Sequence, residues 1–278
     1  MLSDMSLGDL SISEVAVLEL PIFLSDLYDP TLYQQSTRQK QARRGVNWSS
    51  RGRLHKAIYT GNIFIFRTLL NLGANPDEAN EYGPLLVYAA RRYEGIEFCR
   101  SLLDRGVQVD SRDSSGSTPL SYAARLYRHG AICELLLDRG AEVDSTDSDG
   151  RTPLSHCAGR GYDSVCKLLL DRGAAVDSTD SYDRTPLSYC AELNVDDSVC
   201  ELLLEGGGNV DLADFQGRTP LSYSAEQGNC AISRLLLNKG ARAEAPDFKD
   251  RTPLSHAYKW GEASDIYQLL LKVRESGY

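Results

Sequence analysis

Asp147-Ser148-Asp149-Gly150-Arg151-Thr152-Pro153-Leu154-Ser155-His156-Cys157-Ala158-Gly159-Arg160-Gly161, continued by Tyr162-Asp163-Ser164-Val165-Cys166-Lys167-Leu168-Leu169-Leu170-Asp171-Arg172-Gly173, is the stretch on which the fold turns. Its first four residues have turn composition, with Gly150 placed where a positive φ is needed. Thr152 is a helix-capping residue, and Pro153 sits where its missing N–H costs nothing. Leu154, Cys157, Ala158 and Gly161 fall at i, i+3, i+4 and i+7, a narrow stripe of small side chains that permits close helix approach. Val165, Cys166, Leu169 and Leu170 make a second, bulkier stripe, and Gly173 closes that helix with a left-handed cap. A turn plus two short antiparallel helices leaves apolar surface on more than one side. Such a unit must stack on neighbours.

The neighbours are visible. Thr-Pro-Leu begins at Thr118, Thr152, Thr185, Thr219 and Thr252, in steps of 34, 33, 34 and 33 residues. A glycine after a leucine run recurs at Gly73, Gly106, Gly140, Gly173, Gly207 and Gly240. Two marks locked to one period predict an all-α solenoid of helix-turn-helix repeats with β-turn fingers. On these residues the unit resembles the ankyrin repeat, whose Thr-Pro-Leu, small-residue stripe, turn glycine, leucine run and Gly-Ala it reproduces. Seven units are expected at about 50–81, 82–115, 116–148, 149–181, 182–215, 216–248 and 249–278, after an N-terminal extension over 1–49. The wording Leu-Leu-Leu-Asp-Arg-Gly-Ala-x-Val-Asp-Ser-Thr-Asp is similar to arrays of filamentous fungi.

Departures from the family pattern carry their own expectations. Ser121, Ser155, Ser188, Ser222 and Ser255 replace the family histidine, while His55 alone keeps it, in a structural role. Extra residues lie between the helices around Tyr93, Arg128 and Val195. Asp183 and Asp250 stand where the turn glycine should be, which predicts a positive φ at both.

Over the whole chain, 278 residues with 42% hydrophobic and 25% charged content exclude wholesale disorder, collagen and a dense disulfide scaffold. A net charge of −9 argues against nucleic acid or an anionic membrane as partner. Residues 1–37 carry six acids and no base, and residues 38–56 carry seven bases and no acid. No apolar run is long enough for a transmembrane helix, and no secretory signal is present, so a cytoplasmic or nuclear location is expected. Leu20-Pro21-Ile22 and Leu27-Tyr28-Asp29-Pro30-Thr31-Leu32-Tyr33 resemble the two ends of an F-box, here degenerate and lacking its middle. The resemblance implies an alternative function as substrate adaptor of a ubiquitin ligase; a further alternative is an accessory protein of an enzyme pathway.

No Gly-x-Gly-x-x-Gly, P-loop, Gly-x-Ser-x-Gly or His-Glu-x-x-His pattern occurs, so no catalytic, cofactor or metal site is expected. Cys99, Cys133, Cys166 and Cys200 share one position of the second helix, and Cys157 and Cys190 one position of the first. Both read as small core residues, since stacked helices about 8–10 Å apart are too distant for a disulfide along the stack. The aspartates Asp147, Asp149, Asp177, Asp180 and Asp183 read as solvated turns, the spacing being too short for a calcium loop. Tyr88, Tyr122, His156, Tyr189, Tyr223 and His256 occur once per unit, on the side of the first helix facing the concave surface. They either contact a partner or lean on one another along the stack. With Phe215 and Phe248 at turn tips and Trp260 at a helix end, they are the candidate partner-binding residues. The function these features imply is a non-enzymatic protein–protein interaction scaffold, expected as a monomer, with neither nucleic acid nor membrane as partner.

Overall fold

A computed structural model describes residues 52–80, 83–126, 129–192 and 197–276. The F-box-like segment and the basic stretch up to Arg51 lie outside the described residues. Two compact units divide at Leu85 and Leu86.

The first unit contains α1 (Arg53–Thr60), α2 (Ile63–Asn71) and two short antiparallel strands, β1 (Ala79–Asn80) and β2 (Gly83–Pro84). Gly61 turns the chain between the helices at φ 74°, and the Asn62 side chain caps α2 by accepting from Ile65 N at 3.0 Å. Leu54, Ala57, Ile58 and Phe66 form the core. His55 is fully buried, with Nε2 3.3 Å from the Gly83 carbonyl, the structural role expected of it.

α3 (Leu85–Ala90) crosses the division. The second unit continues with α4 (Ile96–Leu103), α5 (Pro119–Ala124), α6 (Gly130–Asp138), α7 (Pro153–Ala158), α8 (Asp163–Asp171) and α9 (Pro186–Glu192). It ends with α10 (Asp197–Glu205), α11 (Pro220–Gln227), α12 (Cys230–Asn238), α13 (Pro253–Ala257), a 3-10 turn (Tyr258–Trp260) and α14 (Asp265–Ser276). First helices α5, α7, α9, α11 and α13 stack in sequence order, as do second helices α4, α6, α8, α10, α12 and α14. Thr118, Thr152, Thr219 and Thr252 cap their helices, each accepting from the backbone N–H of the serine three residues on. The hydroxyls of the serines that replace the family histidine also lie 3.1–3.3 Å from the threonine hydroxyls, so their side chains join the cap. The glycine ending each leucine run has a positive φ, and the next residue's N–H returns to a leucine carbonyl, as Ala174 N does to Leu169 O at 3.0 Å. Asp183 and Asp250 both lie at φ 57°, as their place in the turn requires.

One slot between the two helices of each repeat shows how the array tolerates variation. It is filled by Ala123 and Cys133, Cys157 and Cys166, Cys190 and Cys200, then Ser224 and Ser233, whose hydroxyls are 2.8 Å apart. All eight residues are fully buried, so the reading of the cysteines as small core residues holds for their burial. It needs correction for four of them. Cys157–Cys166 and Cys190–Cys200 are paired as disulfides, with Cα atoms 5.8 and 6.1 Å apart. The two helices of one repeat approach more closely at these positions than helices do along the stack. Cys99, Cys133 and Cys230 are free.

Candidate functional site

Each finger begins with an aspartate that organises the face in front of the first helices. Asp180 Oδ1 accepts from the N–H groups of Tyr182 and Arg184, both at 2.9 Å, closing the turn. Its Oδ2 accepts from the Tyr189 hydroxyl on the following helix. Asp113, Asp147, Asp214 and Asp247 hold their own turns in the same way. Nine residues on, Tyr122 (2.7 Å), His156 (2.9 Å), Tyr223 (2.5 Å) and His256 (3.2 Å) meet the second oxygens. Of the aspartates expected to be solvated, Asp149 and Asp183 are exposed and Asp177 is half-buried, but Asp147 and Asp180 are buried, as are Asp214 and Asp247, because each of these four carboxylates is shared between its finger and a ring. Asp110, Asp144, Asp177 and Asp211 act differently, each accepting from a backbone N–H of the next repeat.

Arginines interleave with these rings. Arg151 lies 4.4 Å from the Tyr189 centroid, Arg184 lies 4.1 Å from Tyr189 and 4.6 Å from Tyr223, and Arg218 lies 4.0 Å from Tyr223. Arg91 and Arg125 flank Tyr122 at 4.7 and 5.2 Å. Arg125 Nη2 also meets Asp147 Oδ2 at 2.6 Å. Arg184 pairs with Glu192 at 2.5 Å, and Arg218 pairs with Glu226. Cations on aromatic faces, several with charge-assisted partners, make a stiff wall. Burial first, and then the hydrogen bond to aspartate, pushes the phenols of Tyr189 and Tyr223 well above their ordinary range. They stay protonated and remain donors.

At the tips, successive fingers are tied by main-chain bonds: Ser148 N to Ser115 O, Ser181 N to Asp149 O, Phe215 N to Tyr182 O and Phe248 N to Gln216 O, at 2.9–3.1 Å. A model of the family described as ankyrin repeats, in three copies, matches residues 54–147, 129–214 and 187–277. The chain is an ankyrin-repeat protein. Ankyrin repeats are generally protein–protein interaction modules. Comparison with curated proteins found no match. Among the described residues no helix is long and apolar enough to cross a membrane, and no cluster of histidine, cysteine and acid could hold a metal ion.

The candidate residues of the ankyrin array divide by exposure. Tyr189, Tyr223, His156 and His256 are buried, their polar tips committed to aspartates. Tyr88 and Tyr122 are half-buried. Phe215 and Phe248 are 50% and 79% exposed, and Trp260 is 51% exposed. Trp260 rests over Gly228 and donates from Nε1 to the Glu226 carbonyl at 3.0 Å. Tyr182 is 52% exposed, with its ring 5.6 Å from that of Phe215. The buried aspartates carried a usable signal: their constant nine-residue interval to the tyrosine or histidine.

His156 makes this wall sensitive to acid. Burial first, then the Arg125 charge, lowers its pKa from 6.5 to about 4. At neutral pH its contact with Asp147 is therefore a hydrogen bond of the neutral ring. The unfolded chain takes up the proton at the higher pH, so stability is intact above about 6.5 and declines as pH falls toward 4. The loss attributable to His156 should reach roughly 2–3 kcal/mol near pH 4.5. His156→Tyr, which installs the residue found at Tyr122, Tyr189 and Tyr223, should reduce this dependence. Urea unfolding at pH 7 and pH 4.5 checks it; equal losses in both chains would remove His156 as the cause.

Proposed function

We propose that this ankyrin array is a non-enzymatic protein-recognition module whose partner docks on the finger tips and the ends of the first helices, on the concave side. The observation that carries this reading is the row of exposed rings Tyr182, Phe215 and Phe248 on successive fingers. Large aromatic side chains are effective anchors at interfaces. Fingers joined by main-chain hydrogen bonds present them with little ordering entropy left to lose. Tyr122, His156, Tyr189, Tyr223 and His256 form the rigid wall beneath, and Tyr88, Tyr122 and Trp260 contribute the surface they still expose.

The test compares the wild-type chain with a Phe215→Ala/Phe248→Ala variant in affinity purification with mass spectrometry. Both side chains are exposed, so circular dichroism should be unchanged. The specific partners of the wild type should be lost or depleted at least tenfold. An undiminished set of specific partners would overturn the finger-tip reading.

A further inference from the structure

Two arginines of the wall lack the glutamate partner found at α9 and α11: Arg251, whose counterpart is Lys259 and which meets Asp247 at 2.7 Å instead, and Arg151. In α9 and α11 the arginine preceding the capping threonine is met by a glutamate eight residues later, Arg184 by Glu192 and Arg218 by Glu226. The corresponding pair at α7 is Arg151 and Gly159. Arg151 is held like its counterparts, stacked 4.4 Å from the Tyr189 ring, and its Nε is buried 3.8 Å from Asp180 Oδ2. That carboxylate is already used, since Oδ1 closes the finger and Oδ2 takes the Tyr189 hydroxyl. Among the described residues the Arg151 guanidinium makes no hydrogen bond, and its side chain is 37% exposed. The repeat before adds positive charge, because Ser117 and Arg125 stand where Arg184 and Glu192 stand later. Arg125 is in turn committed to Asp147.

We propose that Arg151 receives an aspartate or glutamate side chain of the protein partner, standing to it as Glu192 stands to Arg184 and Glu226 to Arg218. The inference rests on the protein-recognition reading and adds the chemistry of one contact. The array itself displays the complete version twice, with a carboxylate beside a ring-stacked guanidinium at α9 and α11. A fixed guanidinium fork loses little freedom when it takes a carboxylate, and removing such a partner leaves a stacked cation short of hydrogen bonds. Charge complementarity selects the occupant: Arg151 lacks the glutamate that Arg184 and Arg218 have, and the Asp180 carboxylate 3.8 Å away is already shared with the Tyr189 hydroxyl.

Gly159→Glu should fill the site from within. Gly159 is buried and has φ −67° and ψ 0°, helical angles open to a glutamate, so circular dichroism and urea unfolding first establish that the variant folds. The probe is a displayed library of random 12-residue peptides selected on the full-length chain. Wild type should enrich peptides with a shared Asp or Glu, and these should bind Gly159→Glu and Arg151→Gln at least tenfold more weakly. Changing the shared acid to Gln or Asn should weaken binding to wild type to a similar degree and have little effect on Gly159→Glu. Peptides that bind wild type and Gly159→Glu equally, or a selected set without a shared acid, would overturn the proposal. If such acid-independent peptides still lose affinity for Phe215→Ala/Phe248→Ala, only the Arg151 contact fails. If no peptide depends on either set of residues, the recognition reading fails with it.

Discussion

Asp180→Ala is expected to destabilise the second unit by about 3–5 kcal/mol, since each buried donor left without its acceptor costs about 1–3 kcal/mol. The side chain is fully buried and carries several obligations at once. Its loss strips the Tyr182 and Arg184 N–H groups of their acceptor, which opens the finger. The Tyr189 hydroxyl loses its partner in a place that water reaches poorly. Arg151 and Arg184, stacked on the Tyr189 ring, lose the negative charge beside them. Asp180→Asn keeps an oxygen for the finger N–H groups and removes the charge, so it should recover part of the loss. Asp113→Ala should cost less, because Asp113 and Tyr122 are only half-buried. Denaturant unfolding ranks the three variants, and amide exchange should locate the Asp180→Ala effect at α9 and its finger. A loss below about 1 kcal/mol for Asp180→Ala would mean that the ladder is decoration on a stack held by its leucines.

The contrast between the fingers and the helices explains what the sequence could reveal. Threonine caps, glycine ends and the leucine period act within one repeat, so a linear reading reaches them. The positive φ of Asp183 and Asp250 was equally legible, since their neighbours in register are glycines. Tyr189 was harder. A tyrosine once per repeat suits an exposed anchor and a buried donor equally well, and only the aspartate nine residues upstream separates the two. The cysteine period points down the column, where distances are long, whereas Cys157 and Cys166 face each other across one repeat. The gap at Gly159 has meaning only beside Arg184–Glu192 and Arg218–Glu226, because a missing carboxylate is defined by the copies that possess it.

Leu169→Ala is expected to cost about 2–5 kcal/mol, and Leu170→Ala about 1–2 kcal/mol. The two neighbours share a leucine run but occupy different places. Leu169 is fully buried, in the column that also holds Leu102, Leu136, Leu203 and Leu236. Second helices stack on both sides of α8, from α6 and α10, so a hole at Leu169 has rigid walls and cannot collapse. Leu170 is half-buried, and its Cδ2 lies 3.5 Å from where a Cβ on Gly206 would stand. Truncation there widens a margin that solvent can fill. Since neighbouring repeats couple through their interfaces, the Leu169→Ala loss should extend to amide protection in α6 and α10, while that of Leu170→Ala stays near the C-terminal ends of α8 and α10. Urea unfolding with residue-resolved hydrogen exchange separates the two patterns. Equal costs at both positions would put the helix phase in error by one residue, and the stacking assigned to Cys166 and Leu203 would fall with it.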